Sequence, residues 1–233
     1  MEKIPEFVIW YAVFLFTLTF HEGAHALLAY WGGDDTAYRG GQVTLNPIPH
    51  VRREPFGTIL IPILTFFMSG WMMGWASAPY DRLWGQRHPK RLAAMSAAGP
   101  AANLVLATAV FIVLKALLGA GYFVAPGRVS FSHVVEPASA GSLGAGLALL
   151  LSVALNLNIL LCLFNLIPLP PLDGAGVVQG LMPGTVGSAL ESVAANPMFS
   201  MMGLLVAWRV FDRIFEPAFS TMLGLLHPEL VYR

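Results

Sequence analysis

Charge is the first thing this chain is short of. Only 11% of its residues are Asp, Glu, Lys or Arg, less than half the roughly 25% of a soluble domain. Hydrophobic residues make up 56%, and the mean hydropathy is +0.67. An integral membrane protein is therefore expected, with the lipid bilayer as its surroundings. The few charges cancel, 13 Lys and Arg against 13 Asp and Glu. A nucleic-acid surface needs a basic excess, so no nucleic-acid partner is expected. Cysteine is nearly absent. Cys162 stands alone, which excludes an intrachain disulfide and leaves it the role of a small core hydrophobe in an apolar helix. Repeats, low-complexity tracts and long polar linkers are also missing. A single membrane-embedded domain over 1–233 is the expectation. The N-terminus does not read as a signal peptide: Lys3 is followed by Glu6, and the apolar run behind them is too long and holds His21 and Glu22.

What the chain has instead is long apolar runs. A spanning helix needs about 20 apolar residues. Candidate runs lie at 7–30, 56–78, 92–113 and 143–166. A weaker, Gly-rich run at 175–190 follows, then runs at 197–210 and 218–226 with Arg209, Asp212, Arg213 and Glu216 between them. The expected fold is an all-α polytopic membrane protein of about five to six membrane segments, with a small β-rich or re-entrant loop region after the first helix. The alternation and Pro/Gly borders of GGQVTLNP suggest short strands there. The run at 56–78 is broken by Pro62, Ser69-Gly70 and Gly74, which suits a re-entrant hairpin as well as a plain span. Arg39, Arg52 and Arg53, then Arg82, Arg87, Lys90 and Arg91, mark two early polar segments as cytoplasmic, whereas 119–142 holds only Arg128 and reads as external.

Inside the first run stands TLTFHEGAHALL. On a helix, residues four apart share a face, so His21 and His25 present two imidazoles to one point. This is the H-E-x-x-H pattern of zinc sites, with the intervening Glu22 as general base. Ionisable groups at membrane depth are costly and default to function. Two histidines do not complete a site, and a third ligand must come from another segment. Of the acidic residues, Asp173 alone directly follows a long apolar helix, in NLIPLPPLDG. The prolines there end the helix and favour extended backbone, so residues 165–173 could run as a strand beside the metal. Asp173 could instead cap the helix that follows.

These residues carry a resemblance. HEGAH at 21–25, AGPAAN at 98–103 and FNLIPLPPLDG at 164–174 stand in the order, and on the apolar segments, of the site-2 protease family of intramembrane zinc metalloproteases. LNPIPH at 45–50 and GWASAPYDRLWGQRHPKR at 74–91 resemble its compact branch without PDZ or CBS modules. The chain departs from that branch in its loops. A short His-x-Asp-Pro is replaced by His-Val-Arg-Arg-Glu-Pro, and a Pro-Val-Pro-like run by Ser-Ala-Pro-Tyr. The resemblance covers about 7–180 and leaves the helices at about 190–233 unexplained. It implies one Zn2+ per chain held by His21, His25 and Asp173, with Glu22 as the base. It places Asn165 eight residues before the ligand aspartate as a donor or substrate clamp. AGPAAN reads as close helix packing, with Asn103 satisfying backbone freed by Pro100 or lining the site. Asn158 reads as an interhelical hydrogen bond. His50 reads as a solvated loop residue or a gate near the metal, and His88, His133 and His227 as solvated.

The function implied is an endopeptidase cutting transmembrane segments of other membrane proteins, as in regulated intramembrane proteolysis. The setting implied is a prokaryotic cell membrane, with the site toward the cytoplasm. The proline-rich stretch 167–172 offers an edge for an unwound substrate. A membrane metal carrier or sensor would share the ligands without needing Glu22. An inactive partner-binding relative would have lost a ligand or the base, and all are present. Oligomeric state is not legible.

Overall fold

A computed structural model describes residues 3–229. The chain opens with α1 (Lys3–Trp31), followed by two short helices, α2 (Thr36–Arg39) and α3 (Pro47–Arg53). A π-turn at Phe56–Leu60 enters α4 (Ile61–Ser69), and α5 (Arg82–Arg87) leads into α6 (Pro89–Gly119). β1 (Phe123–Val124) and β2 (Glu136–Pro137) pair antiparallel before α7 (Ser142–Asn165). The chain continues through α8 (Asp173–Leu181), α9 (Thr185–Ala194) and α10 (Pro197–Leu226).

The helical membrane architecture agrees with the sequence. By length and composition, α1, α6 and α7 are each able to cross a bilayer, and α9 with α10, bent 102° to one another, make a fourth span if taken as one. Five to six segments were expected. The difference has two sources: the run at 56–78 folds back on itself, and the C-terminal run carries charge in its middle. In the first case α4 stops at Gly70 (φ 81°), and the chain returns until Trp75 N–H donates to Gly57 O at 3.1 Å. The run thus folds as a hairpin held by its own hydrogen bond.

The strands expected after α1 do not form there. Residues 41–46 turn, and Asn46 caps α3 by accepting Ile48 N–H at 3.0 Å, with Pro47 in the first helical position. The small sheet lies between α6 and α7 instead. The C-terminal run is one continuous helix through Pro217, so Arg209, Asp212, Arg213 and Glu216 sit mid-helix rather than between two.

Packing centres on α6, which touches α1, α7 and α8, while α1 also packs on α7. Trp10, Phe14 and Leu18 of α1 meet Phe66 and Met72 of the hairpin and Val153 and Leu157 of α7. At the far end Leu114, Phe123, Val134 and Leu155 close with Leu223 and Leu226 of α10. Lipid is as apolar as leucine, so such contacts hold by close fit and buried hydrogen bonds more than by water exclusion. Close fit sets α8 against α6: a Cβ at Gly180 would collide with the Pro89 carbonyl and Ala93. Cys162 is a buried thiol, as expected.

Candidate metal centre and cleft

Asp173, in the first turn of α8, reaches two histidines in the C-terminal half of α1. Asp173 Oδ2 is 3.1 Å from His21 Nε2 and 3.3 Å from His25 Nε2. The two Nε2 atoms are 3.0 Å apart. The carboxylate is thus turned to the imidazoles, and Leu172 at the N-cap has no side-chain cap bond. Gly99 of α6 makes room for this cluster, since a Cβ there would strike Nε2 of both histidines.

The other ring nitrogens decide the tautomers. His21 Nδ1 lies 2.5 Å from Asn103 Oδ1. Asn103 Nδ2 donates to Asn158 Oδ1 at 2.9 Å, and Asn158 Nδ2 donates to Thr17 Oγ1 at 3.1 Å. The Asn103 oxygen can only accept, so His21 Nδ1 carries the proton. His25 Nδ1 donates to Met95 O at 2.7 Å. In the neutral form each imidazole then turns its Nε2 lone pair toward the other ring and toward the buried Asp173 Oδ2. Three lone pairs facing one point repel one another unless a proton or a metal ion lies among them. Tetrahedral zinc with bonds of about 2.0–2.2 Å holds its ligand atoms about 3.3–3.6 Å apart, close to the observed spacings. The donor set, two imidazoles and a carboxylate, fits zinc.

Beside the cluster opens a cavity of about 230 Å³. Glu22 and His25 line it from α1, Ser96 from α6, and Asp173 and Gln179 from α8. The extended stretch 76–80 forms a further wall with Ala76, Ser77, Ala78 and Tyr80, and Leu190 and Ala194 of α9 cover it. Ser77 is held from behind: Gln42 Nε2 donates to its carbonyl at 3.0 Å, and its hydroxyl donates to Glu54 Oε1 at 2.7 Å. Burial pushes the Tyr80 hydroxyl above its ordinary pKa; nearby Arg82 opposes the rise and Glu191 adds to it. Tyr80 therefore stays a neutral donor on the wall.

Several expectations change. The stretch 167–172 is not an open strand. Leu169 N–H donates to Ile167 O and Leu172 N–H to Leu169 O, and its three prolines have no N–H. Along 76–80, by contrast, no hydrogen bond of the Ala76, Ser77, Ala78 or Tyr80 N–H forms among the described residues. Asn165 turns its amide onto Leu161 O at 3.0 Å and does not line the cavity. His50 is buried rather than solvated, at 3.3 Å from Thr44 O, and stands outside the metal cluster. His227 is buried too, with Nε2 2.7 Å from Val134 O. Of the two readings of Asn103, its contact with His21 agrees with lining the site rather than satisfying backbone freed by Pro100, although nothing local named the ring it meets.

A family model described as peptidase family M50 matches residues 9–208. The chain belongs to peptidase family M50. This is the site-2 protease family of the motifs above, and membership makes the chain a zinc metalloprotease built of membrane-spanning helices. It is 37% identical over 220 residues to the Bacillus subtilis (strain 168) protein named "Putative zinc metalloprotease YwhC", covering 86% of this chain and 90% of that one. It is 28% identical over 179 residues to "Putative zinc metalloprotease Rip2" of Mycolicibacterium smegmatis (strain ATCC 700084 / mc(2)155), covering 77% of this chain and 59% of that one. No solved structure matches the chain.

Proposed function

We propose that this M50 peptidase is an intramembrane endopeptidase of one domain, with one zinc per chain held by His21, His25 and Asp173. The observation that carries this reading is the convergence of two imidazole Nε2 atoms and a buried Asp173 oxygen beside a cavity lined by Glu22. Zinc bound there supplies a Lewis acid for the scissile carbonyl and lowers the pKa of water toward about 7. Asn103 and the Met95 carbonyl hold the imidazoles in the tautomer that such a cation needs. Glu22 follows His21 on the helix, so its carboxylate enters the cavity beside the ligand cluster. Its oxygen accepts a proton from the attacking water as the O–C bond forms. The same oxygen returns that proton to the departing amine nitrogen as the C–N bond breaks.

The substrate class is a transmembrane segment of another protein, as in regulated intramembrane proteolysis. A peptide bond in a helix is masked by its own hydrogen bonds, so the substrate must unwind before it is cut. The free N–H groups of 76–80 offer it new partners along the cavity wall, in the manner of an added strand. This replaces the proline-rich edge, whose donors are used internally. Arg91 Nη1 and Trp84 Nε1 both donate to Gly32 O, so the basic segments 31–56 and 78–91 share one end of α1 and α6. Their positive charge supports a cytoplasmic side for that end, in the cell membrane of a prokaryote.

The test is Glu22→Gln in purified, reconstituted protein. Zinc retained with cleavage of membrane substrates abolished is the expected result. Cleavage undiminished would remove Glu22 from the chemistry, and transmembrane metal flux without proteolysis would favour a carrier.

A further inference from the structure

Helix α10 carries four charged residues that make no ion pair among the described residues. Arg209, Asp212, Arg213 and Glu216 recur at spacings of three, one and three, which places them on one face of the helix. All four are exposed, and among the described residues none makes an ion pair or a side-chain hydrogen bond. The opposite face is the packed one, with Ala207, Phe211, Met222 and Leu226 buried. The charges thus point away from the protein, in line with exposed Leu205 and Met202.

Where α9 and α10 together make a span, these charges fall at bilayer depth, which is costly. Gly203 abuts the Pro170 carbonyl beside the metal cluster, and Leu226 packs with Leu114 at the far end of α6. Between these points Phe211 rests on Phe164 with ring centroids 5.1 Å apart. The cluster itself is deep, because α1 continues about 15 Å beyond His21 to Trp31 at 1.5 Å per residue. The charged stripe therefore begins about 9 Å beyond Gly203, at 1.5 Å per residue, and runs toward the other end of the bundle. Lipid tails cannot solvate charges at that depth, and such residues turn to partners.

We infer that this stripe is an interface between two copies of the chain. Its pattern, plus, minus, plus, minus, is self-complementary and sums to zero. Two α10 helices crossing side by side about an axis normal to the membrane bring Arg209 of one copy toward Asp212 of the other, and Arg213 toward Glu216. The two-fold repeats each pair. Leu205 and Met202 continue the contact as its apolar part. The pairs form in a low-dielectric setting, where opposite charges attract strongly and an unmatched one is penalised.

The test uses the full chain in liposomes, in a Cys162→Ala background so that each engineered thiol stands alone. Leu205→Cys is expected to cross-link into a covalent dimer under mild oxidation, and Leu104→Cys, exposed on the outer side of α6, is not. Arg213→Glu is expected to cut the Leu205→Cys dimer at least tenfold, and adding Glu216→Arg to restore it. Circular dichroism and elution as a single species confirm that each variant is folded. Equal cross-linking at both positions, cross-linking unaffected by Arg213→Glu, or a monomer at every protein-to-lipid ratio overturns the interface. So does a stripe that cross-links only to a different polypeptide. Dimerisation and proteolysis fail separately: Glu22→Gln is expected to cross-link like its parent.

Discussion

Asn103 Oδ1 accepts the Nδ1–H of His21 at 2.5 Å, across the contact between α6 and α1. The amide is wholly buried and is itself oriented by Asn158. Partners of this kind fix ring orientation, and losing one commonly costs 10–100-fold in metal affinity. Asn103→Ala is expected to weaken zinc binding by about that factor while the helical content is kept. Competition with a chelator of known affinity measures it, and an unchanged affinity removes Asn103 from the support of the site.

Gly99 sits where α6 passes the two imidazoles. A methyl group there meets both Nε2 atoms, so Gly99→Ala is expected to displace the ligands more severely than Asn103→Ala. The expected result is loss of bound zinc with little change in far-ultraviolet circular dichroism. Zinc retained at the parental level contradicts the close approach.

The wall at 76–80 can be tested through one donor. Ala78→Pro deletes an N–H that has no partner among the described residues. One hydrogen bond to substrate is worth about 1–1.5 kcal/mol, so kcat/KM for a membrane substrate is expected to fall about tenfold, with zinc content constant. Equal kinetics for the two proteins means that substrate does not pair there.

Asn165 offers a sharper contrast. Its amide is bonded to Leu161 O, outside the cavity. Asn165→Ala is expected to lower kcat less than tenfold, whereas deleting a true oxyanion donor costs about 10²–10³. A loss in that upper range would bring Asn165 into the chemistry.

The parts of this molecule that were legible in its sequence are those set by local spacing. His21 and His25 share a face because 3.6 residues make a turn, and no tertiary contact is needed to see it. Asp173 was legible because so few carboxylates border an apolar run. The partner of Asn103 was not, because its bond to His21 joins residues 82 apart. GGQVTLNP misled because strand-like alternation has no meaning without a neighbour to pair with, and Asn46-Pro47 is a better helix start than a strand end. The proline-rich stretch misled for a related reason: prolines favour extended backbone residue by residue, but Leu169 and Leu172 close it into turns. Charge at Arg209 to Glu216 was mistaken for a break between helices, although Pro217 and the four charges lie within one.

The central claim is that His21, His25 and Asp173 hold a metal together. The most direct measurement is the zinc-to-protein ratio, by elemental analysis, of the parent chain beside Asp173→Asn. The account predicts one zinc per parent chain and a substantial loss in Asp173→Asn, whose side chain keeps the size but gives up the charge. No stoichiometric metal in the parent, or the same ratio in both, would contradict it.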